Sequence, residues 1–237
     1  MLLFRALLFY TVFNITAVIV GLVGLPLSLL PYRIRGQWFI TFNRVVIWSL
    51  RWICGVKIHI RGIEHLKQDS PVVIMAKHQS TWETMFLQLA CHPVSTILKK
   101  ELLRVPFFGW GLAALRPIAI DRSNPKAALK MVKEMGEKRL AQGNNLLIFP
   151  EGTRTPVGQA GNYARSAADI AISAGVPILP IAHNGGVHWP MHDIRKYPGT
   201  IEMVIGAPIN PEGRNSKQLT EEVKNWIEGE IANMPVR

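Results

Sequence analysis

Residues Ala6 to Leu30 run without one charged side chain, and this run constrains the fold more than any other feature. As a helix rising 1.5 Å per residue it would extend about 37 Å, enough to cross a hydrocarbon core of about 30 Å. A cleaved signal peptide is the rival reading, but its apolar core is roughly 7–15 residues long and no A-x-A site follows here. Gly21, Gly24 and Pro26 interrupt the run late, so a bent or re-entrant hairpin competes with a straight span.

Charge separates the front of the chain from the rest. The 237 residues carry a formal net charge of +11, and no acid occurs before Glu64. Arg5, Arg33, Arg35, Arg44, Arg51, Lys57 and Arg61 contribute seven of those eleven charges. Base confined to an apolar, aromatic segment points to a membrane surface with anionic head groups rather than to a nucleic-acid groove. No RNP-type, zinc-finger or helix-turn-helix signature accompanies it, so nucleic acid is not an expected partner.

Within Gln37 to Cys54, the polar residues Gln37, Thr41, Arg44 and Arg51 fall at helical spacing, with Trp38, Phe42, Val45, Val46, Leu50 and Ile53 elsewhere on the helix. Such a helix lies in the lipid interface with its aromatic face in the bilayer, or else packs its apolar face on a domain core. The basic residues after the first segment keep this side cytoplasmic by the positive-inside tendency. The expected location is therefore a membrane, a bacterial inner membrane with the working face toward the cytoplasm. Cys54 and Cys91 are the only cysteines, too few for a disulfide framework and consistent with a reducing face.

From about Val56 the texture changes to short β-branched runs alternating with helical patterns. Residues 1–55 are thus expected to be membrane-anchoring helices, and 56–237 an α/β domain with a mixed, mostly parallel sheet flanked by helices. The strands expected are Val56–Arg61, Pro71–Ala76, Pro117–Ile120, Leu146–Phe149, Ile178–Ala182 and Ile201–Ile205. Helices are expected over Thr81–Cys91, Pro125–Gln142, Ala164–Ala174 and Thr220–Asn233. Asn124, Pro125 and Gly143 punctuate the second of these as cap, first helical residue and stop.

The run from Ala76 to Glu83 reads Ala-Lys-His-Gln-Ser-Thr-Trp-Glu and joins an apolar strand to a helix, where open α/β sheets bind ligands. His78 precedes the helix and Glu83 falls in its first turn, so the imidazole can fold back on the carboxylate. That pairing fixes the tautomer, stabilises an imidazolium and leaves the other ring nitrogen to take a proton from an alcohol. The same residues also fit an S-x-x-E capping box, in which Glu83 bonds a backbone N–H. The two roles are compatible, with one carboxylate oxygen for each.

A second constellation follows Phe149, in Pro150-Glu151-Gly152-Thr153-Arg154. The glycine turns the backbone tightly, and Arg154 offers a planar fork for phosphate oxygens. Glu151 is placed to hold that guanidinium or a helix N-terminus. A turn with a surface salt bridge is the plainer reading. No G-x4-G-K-[ST] phosphate loop, H-E-x-x-H zinc motif or G-x-S-x-G elbow occurs, so no metal or other cofactor is expected. Pro106-Phe107-Phe108-Gly109-Trp110-Gly111 is an apolar stretch suited to core packing, or to lining an acyl tunnel or touching lipid.

Together these blocks resemble those of the glycerolipid acyltransferases, in particular the 1-acylglycerol-3-phosphate O-acyltransferase family. His78 to Glu83 is similar to the family's His-x4-Asp block, and Ile118 to Arg122 looks like its second. Phe149 to Arg154 matches the third and Val176 to Ile181 the fourth. The resemblance covers about Lys77 to Ile181. It implies catalytic roles for His78 and Glu83, and substrate binding by Glu151, Gly152, Thr153, Arg154, Lys100 and Arg122. The implied partners are the lipid bilayer, lysophosphatidic acid, and acyl-CoA or acyl carrier protein. Phosphatidic acid for phospholipid biosynthesis is the implied product. Three positions depart from the pattern: Glu83 replaces the usual Asp, Arg116 and Ala119 stand where a Gly and an aromatic are common, and Tyr163-Ala164-Arg165-Ser166 replaces a Lys-x-Gly. Acylation of another lyso-lipid, and a non-catalytic lipid-binding protein, are the alternatives.

Overall fold

The computed structural model of the chain describes residues 1–236. Helix α1 (Leu2–Leu27) continues through Gly21 and Gly24, with Pro26 only in its last turn. The chain then turns, and α2 (Tyr32–Cys54) runs back beside it until Gly55, in the left-handed region with φ 73°, ends the helix. The result is an antiparallel helical hairpin. Trp38 Nε1 donates to the Val20 carbonyl at 3.0 Å, and Gly24 lies directly against the Phe39 ring, so a side chain at that glycine would push the two helices apart.

Among the described residues, seven strands follow: β1 (Val56–Arg61), β2 (Val73–Ala76), β3 (Val94–Lys99), β4 (Ile118–Ile120), β5 (Asn145–Ile148), β6 (Ile178–His183) and β7 (Gly199–Ile205). They form one sheet in the order β1-β7-β6-β2-β5-β3-β4. Strands β6, β2, β5, β3 and β4 are mutually parallel, and β1 pairs parallel with β7, which is antiparallel to β6. The mixed, mostly parallel sheet flanked by helices is therefore the one expected. Strand β3 was not: its Ser95 and Thr96 interrupt the apolar pattern, yet both are buried.

The remaining helices are α3 (Trp82–Ala90), α4 (Phe108–Ala114), α5 (Pro125–Ala141), α6 (Ser166–Ala174), α7 (Gly185–His188) and α8 (Ser216–Ala232). The Asn124 side chain accepts from Ala127 N–H and caps α5, with Pro125 in its first turn. Helix α8 begins four residues earlier than the apolar pattern implies, because Asn215 and Gln218 close a reciprocal capping box.

Two apolar clusters sandwich the sheet. One joins Phe9, Val20, Phe42, Val46 and Leu50 of the hairpin to Trp82 and Leu87 of α3 and to strand residues such as Ile74 and Leu147. The other packs α5, α6 and α8 on the opposite face through Val132, Ile170, Val223 and Ile227. Helix α1 is thus fixed against α2 and, near both ends, against loop residues of the α/β domain. Phe9 meets Trp189 edge-on at 5.1 Å near one end, and a Cβ on Gly21 would stand 2.8 Å from Phe107 near the other. Its outward side stays apolar and exposed, at Leu3, Phe4, Leu7, Ile15, Ile19, Leu22 and Leu25. Helix α2 packs on the domain core, burying Phe39, Phe42, Val46 and Leu50, and leaves Trp48 and Trp52 exposed on its outer side.

Candidate active site

His78 sits just past the C-terminal end of β2, between a fully buried strand and α3. Its Nδ1 lies 2.9 Å from Oε1 of Glu83. The same oxygen accepts the N–H of Gln79 at 2.9 Å and of Ser80 at 2.7 Å. The capping and histidine roles thus fall on a single oxygen instead of being divided between two; Oε2 is buried without a hydrogen-bond partner. Ser80 caps differently, its Oγ accepting from Trp82 N–H at 3.1 Å.

Burial alone would raise the Glu83 carboxyl, but the His78 hydrogen bond, nearby His183 and His78, and the Ser80 N–H together hold it below the usual carboxylate range. An ionised Glu83 requires Nδ1 of His78 to carry its proton, which leaves Nε2 with a free lone pair. The ring itself is fixed by stacking on Phe149, 4.1 Å between centroids at 14°. His183 is fully buried. Its Nδ1 accepts from Gly185 N–H and its Nε2 donates to the Lys77 carbonyl, and burial lowers its pKa. Its ring packs edge-on against Trp82.

Beneath His78 lies a buried charge cluster that the motifs do not announce. Lys77 Nζ is fully buried, 2.7 Å from Glu151 Oε1 and 2.8 Å from Glu228 Oε1, and donates to the Gln159 carbonyl at 2.9 Å. Oε2 of Glu151 accepts the His78 backbone N–H at 2.9 Å. Thr155 N–H donates to the His78 carbonyl at 2.8 Å. Glu151 therefore grips the backbone that carries His78 and the buried lysine, not Arg154. Tyr163 donates its hydroxyl to Glu228 at 2.9 Å, while Arg165, in the stretch that departs from the family's Lys-x-Gly, is exposed at the start of α6. A lysine next to the histidine at the end of a wholly apolar strand was the available signal for this clamp.

His78 opens onto a cavity of about 450 Å³ whose other lining residues include Thr153, Arg154, Arg122 and Lys99, within the usual ligand-pocket range of about 300–1,000 Å³. Arg122 and Arg154 make no hydrogen bond or ion pair with the described residues and are free for a ligand. Gly152 turns the chain at φ 68° and is exposed. Lys100 is taken up by an ion pair with Asp121, a pairing that holds the Asp121 carboxyl well below the usual range; Lys99 lines the cavity in its place. Most of the remaining lining is apolar, with Ala17 and Val20 of α1, Phe39 and Phe42 of α2, Met85, and Phe107, Phe108 and Leu112 around α4, interrupted by the polar Asn43, Gln88 and Thr96. Among the described residues, no group of three or more His, Cys, Asp or Glu is placed to hold a metal.

The chain is similar to known acyltransferases in sequence and in fold. The profile of the family described as Acyltransferase matches residues 57–184. The 1-acyl-sn-glycerol-3-phosphate acyltransferase of Pseudomonas aeruginosa is 44% identical over 235 residues, covering 97% of this chain and 91% of that protein. A plant protein of the same description, from Limnanthes douglasii, is 29% identical over 98% of this chain and 82% of its own length. Among solved structures, the 1-acyl-sn-glycerophosphate (LPA) acyltransferase PlsC from Thermotoga maritima has a TM-score of 0.83 at 23% identity, covering 100% of this chain and 97% of that one. That last likeness is one of fold.

Proposed function

The chain belongs to the acyltransferase family, and from that premise we propose that it is a 1-acylglycerol-3-phosphate O-acyltransferase. It moves a fatty acyl group from acyl-CoA or acyl carrier protein to the sn-2 hydroxyl of lysophosphatidic acid, supplying phosphatidic acid for phospholipid biosynthesis. The observation that carries this reading is one ring: His78, held through Nδ1 by Glu83, lines a largely apolar cavity together with two unpaired arginines.

In the proposed reaction, Nε2 of His78 takes the proton of the acceptor hydroxyl as its oxygen attacks the thioester carbonyl. Glu83 stabilises the imidazolium so formed. The tetrahedral intermediate expels the thiolate, which recovers the proton from His78 and leaves as the free thiol. General-base help of this kind contributes roughly 10²–10⁴-fold. Arg154, with Arg122 and Thr153, holds the acceptor phosphate and converts an encounter into a placed reaction. Glu151 and Lys77 act through the His78 backbone as positioning residues, and the apolar walls receive an acyl chain.

Residues 1–55 are the proposed anchor. Helix α1 is long and apolar enough to cross a membrane, but it is docked on the α/β domain near both ends, against Trp189 and Phe107. An arrangement lying along the bilayer face, with the outward sides of α1 and α2 in lipid, suits those contacts better than a span standing away from the domain. Thiol release measured for a matrix of acyl-CoA and acyl carrier protein donors against lysophosphatidic acid, lysophosphatidylcholine and monoacylglycerol acceptors tests the assignment. Preference for lysophosphatidic acid is expected; preference for an acceptor lacking a phosphomonoester would overturn it.

A further inference from the structure

A second cavity, of about 440 Å³, is lined by Arg35, Arg116, Lys138, Arg139 and Gln142 among others. Its lining shares no residue with the cavity at His78. Strands β2, β5, β3 and β4 are parallel, so His78, after the end of β2, and Arg116, before the start of β4, occupy opposite ends of the sheet.

Four cationic side chains meet here, and among the described residues no carboxylate lies within ion-pair distance of any of them. Arg35 and Arg139 each bury an Nε without a hydrogen-bond partner. Their other contacts are neutral: Arg35 Nη1 donates to the Ser28 carbonyl at 2.9 Å, and Arg139 Nη1 to Gln142 Oε1 at 2.9 Å. The Arg116 guanidinium is fixed 4.1 Å over the Tyr32 ring, on a backbone with φ 55°. A side chain is strained in that region, and glycine would not be. Nor are these cations needed to cap α5. The carbonyls of Lys138, Arg139 and Leu140 already accept the N–H groups of Gln142, Gly143 and Asn144.

Converging cations repel one another unless an anion joins them, and guanidinium forks match phosphate oxygens in bidentate geometry. The cavity also adjoins the hairpin turn, where Leu29, Leu30 and Ile34 are exposed on the side proposed to meet lipid. We propose that this basic cavity is a second anion site, which binds a phosphate group, from an anionic lipid head group or free in solution, independently of the acyl acceptor.

The test uses the full chain in an uncharged detergent. Thermal unfolding is followed against short-chain phosphatidic acid, inorganic phosphate, and short-chain phosphatidylcholine as the control. Arg116→Gly with Arg139→Gln removes two forks of the second site, and Arg154→Ala disables the proposed acceptor site instead. The expected result is stabilisation by the phosphate probe in wild type and in Arg154→Ala, with half-saturation at least about tenfold weaker in the double variant. Response to phosphatidic acid alone assigns the lipid head group; an equal response to inorganic phosphate assigns free phosphate. No stabilisation of wild type by either probe, an unchanged half-saturation in the double variant, or loss only in Arg154→Ala would overturn the proposal. Should the double variant not fold, Arg116→Gly alone, whose backbone suits glycine, carries the same comparison.

Discussion

Oε1 of Glu83 stands 2.9 Å from Nδ1 of His78 while accepting the N–H groups of Gln79 and Ser80. One oxygen both shapes the turn and orients the imidazole. Glu83→Gln keeps an acceptor for the turn but removes the charge that stabilises an imidazolium, so kcat should fall roughly 10²-fold or more while the fold survives. Glu83→Asp keeps the charge on a shorter arm and should retain more activity than Gln. Equal activity of Glu83 and Gln enzymes would reduce the residue to a cap.

The same carboxylate makes stability depend on pH in one direction. Its pKa is lower in the folded chain than in the unfolded one. Its contribution is therefore fully present above the ordinary carboxylate pKa and is lost as pH falls through the lower folded value. Unfolding temperatures measured from neutral pH into that acid window should drop further for wild type than for Glu83→Gln. Parallel curves would contradict this.

Lys77 is fully buried between Glu151 and Glu228. Lys77→Met strands the buried Glu151 carboxylate beside the partly exposed Glu228 and should destabilise the protein by about 3–5 kcal/mol, since breaking a buried pair leaves the remaining charge uncompensated. Denaturation in detergent measures it. Activity lost in proportion to unfolded protein would make Lys77 purely structural. A fall in kcat in the fraction still folded would support positioning of His78.

How much of this was legible in the sequence depended on where each residue's partner lies. His78 and Glu83 are five positions apart and belong to one turn, so local chemistry suffices to pair them. The outer face of α1 is likewise readable from its uncharged run. The Lys77 clamp is not, because Glu228 lies 151 residues further on and the fold alone brings it in. Strand β3 hides for a similar reason: Ser95 is buried against the Asn144 side chain, a hydrogen bond of 3.1 Å across 49 residues. Arg154 and Arg122 are recognisable as phosphate-binding types, but Lys100, recognisable by the same criterion, is spent on Asp121.

Arg154 lines the cavity without a hydrogen bond or ion pair to the described residues. Arg154→Ala should lower kcat/KM for lysophosphatidic acid roughly 10–100-fold, the loss expected for a charge-assisted contact. Monoacylglycerol, which has no phosphate, should respond little. Equal losses with both acceptors would make the residue structural.

Trp48 and Trp52 are 59% and 67% exposed on the outer side of α2, near Arg44 and Arg51. Replacing both tryptophans by Ala should weaken flotation with neutral vesicles at every salt concentration, because apolar transfer is unscreened. Neutralising both arginines should weaken binding to anionic vesicles by about 1 kcal/mol each at low salt, and by less at high salt. A tryptophan effect that disappears in salt would exclude the apolar anchor.

Ala17 lines the apolar part of the cavity from α1. Ala17→Phe fills space there and should move the donor preference toward shorter acyl chains without abolishing transfer. Competition among thioesters of graded length reads the shift, and an unchanged profile would place the acyl chain elsewhere.

The central claim is that His78 is the base, and the most direct measurement is thiol release by His78→Ala with lysophosphatidic acid and the donor the wild type uses best. The account predicts a loss of roughly 10²–10⁴-fold per folded molecule, with circular dichroism close to wild type and a lower unfolding temperature, since the buried Glu83 loses its ring partner. Turnover near the wild-type rate by the folded variant would contradict it.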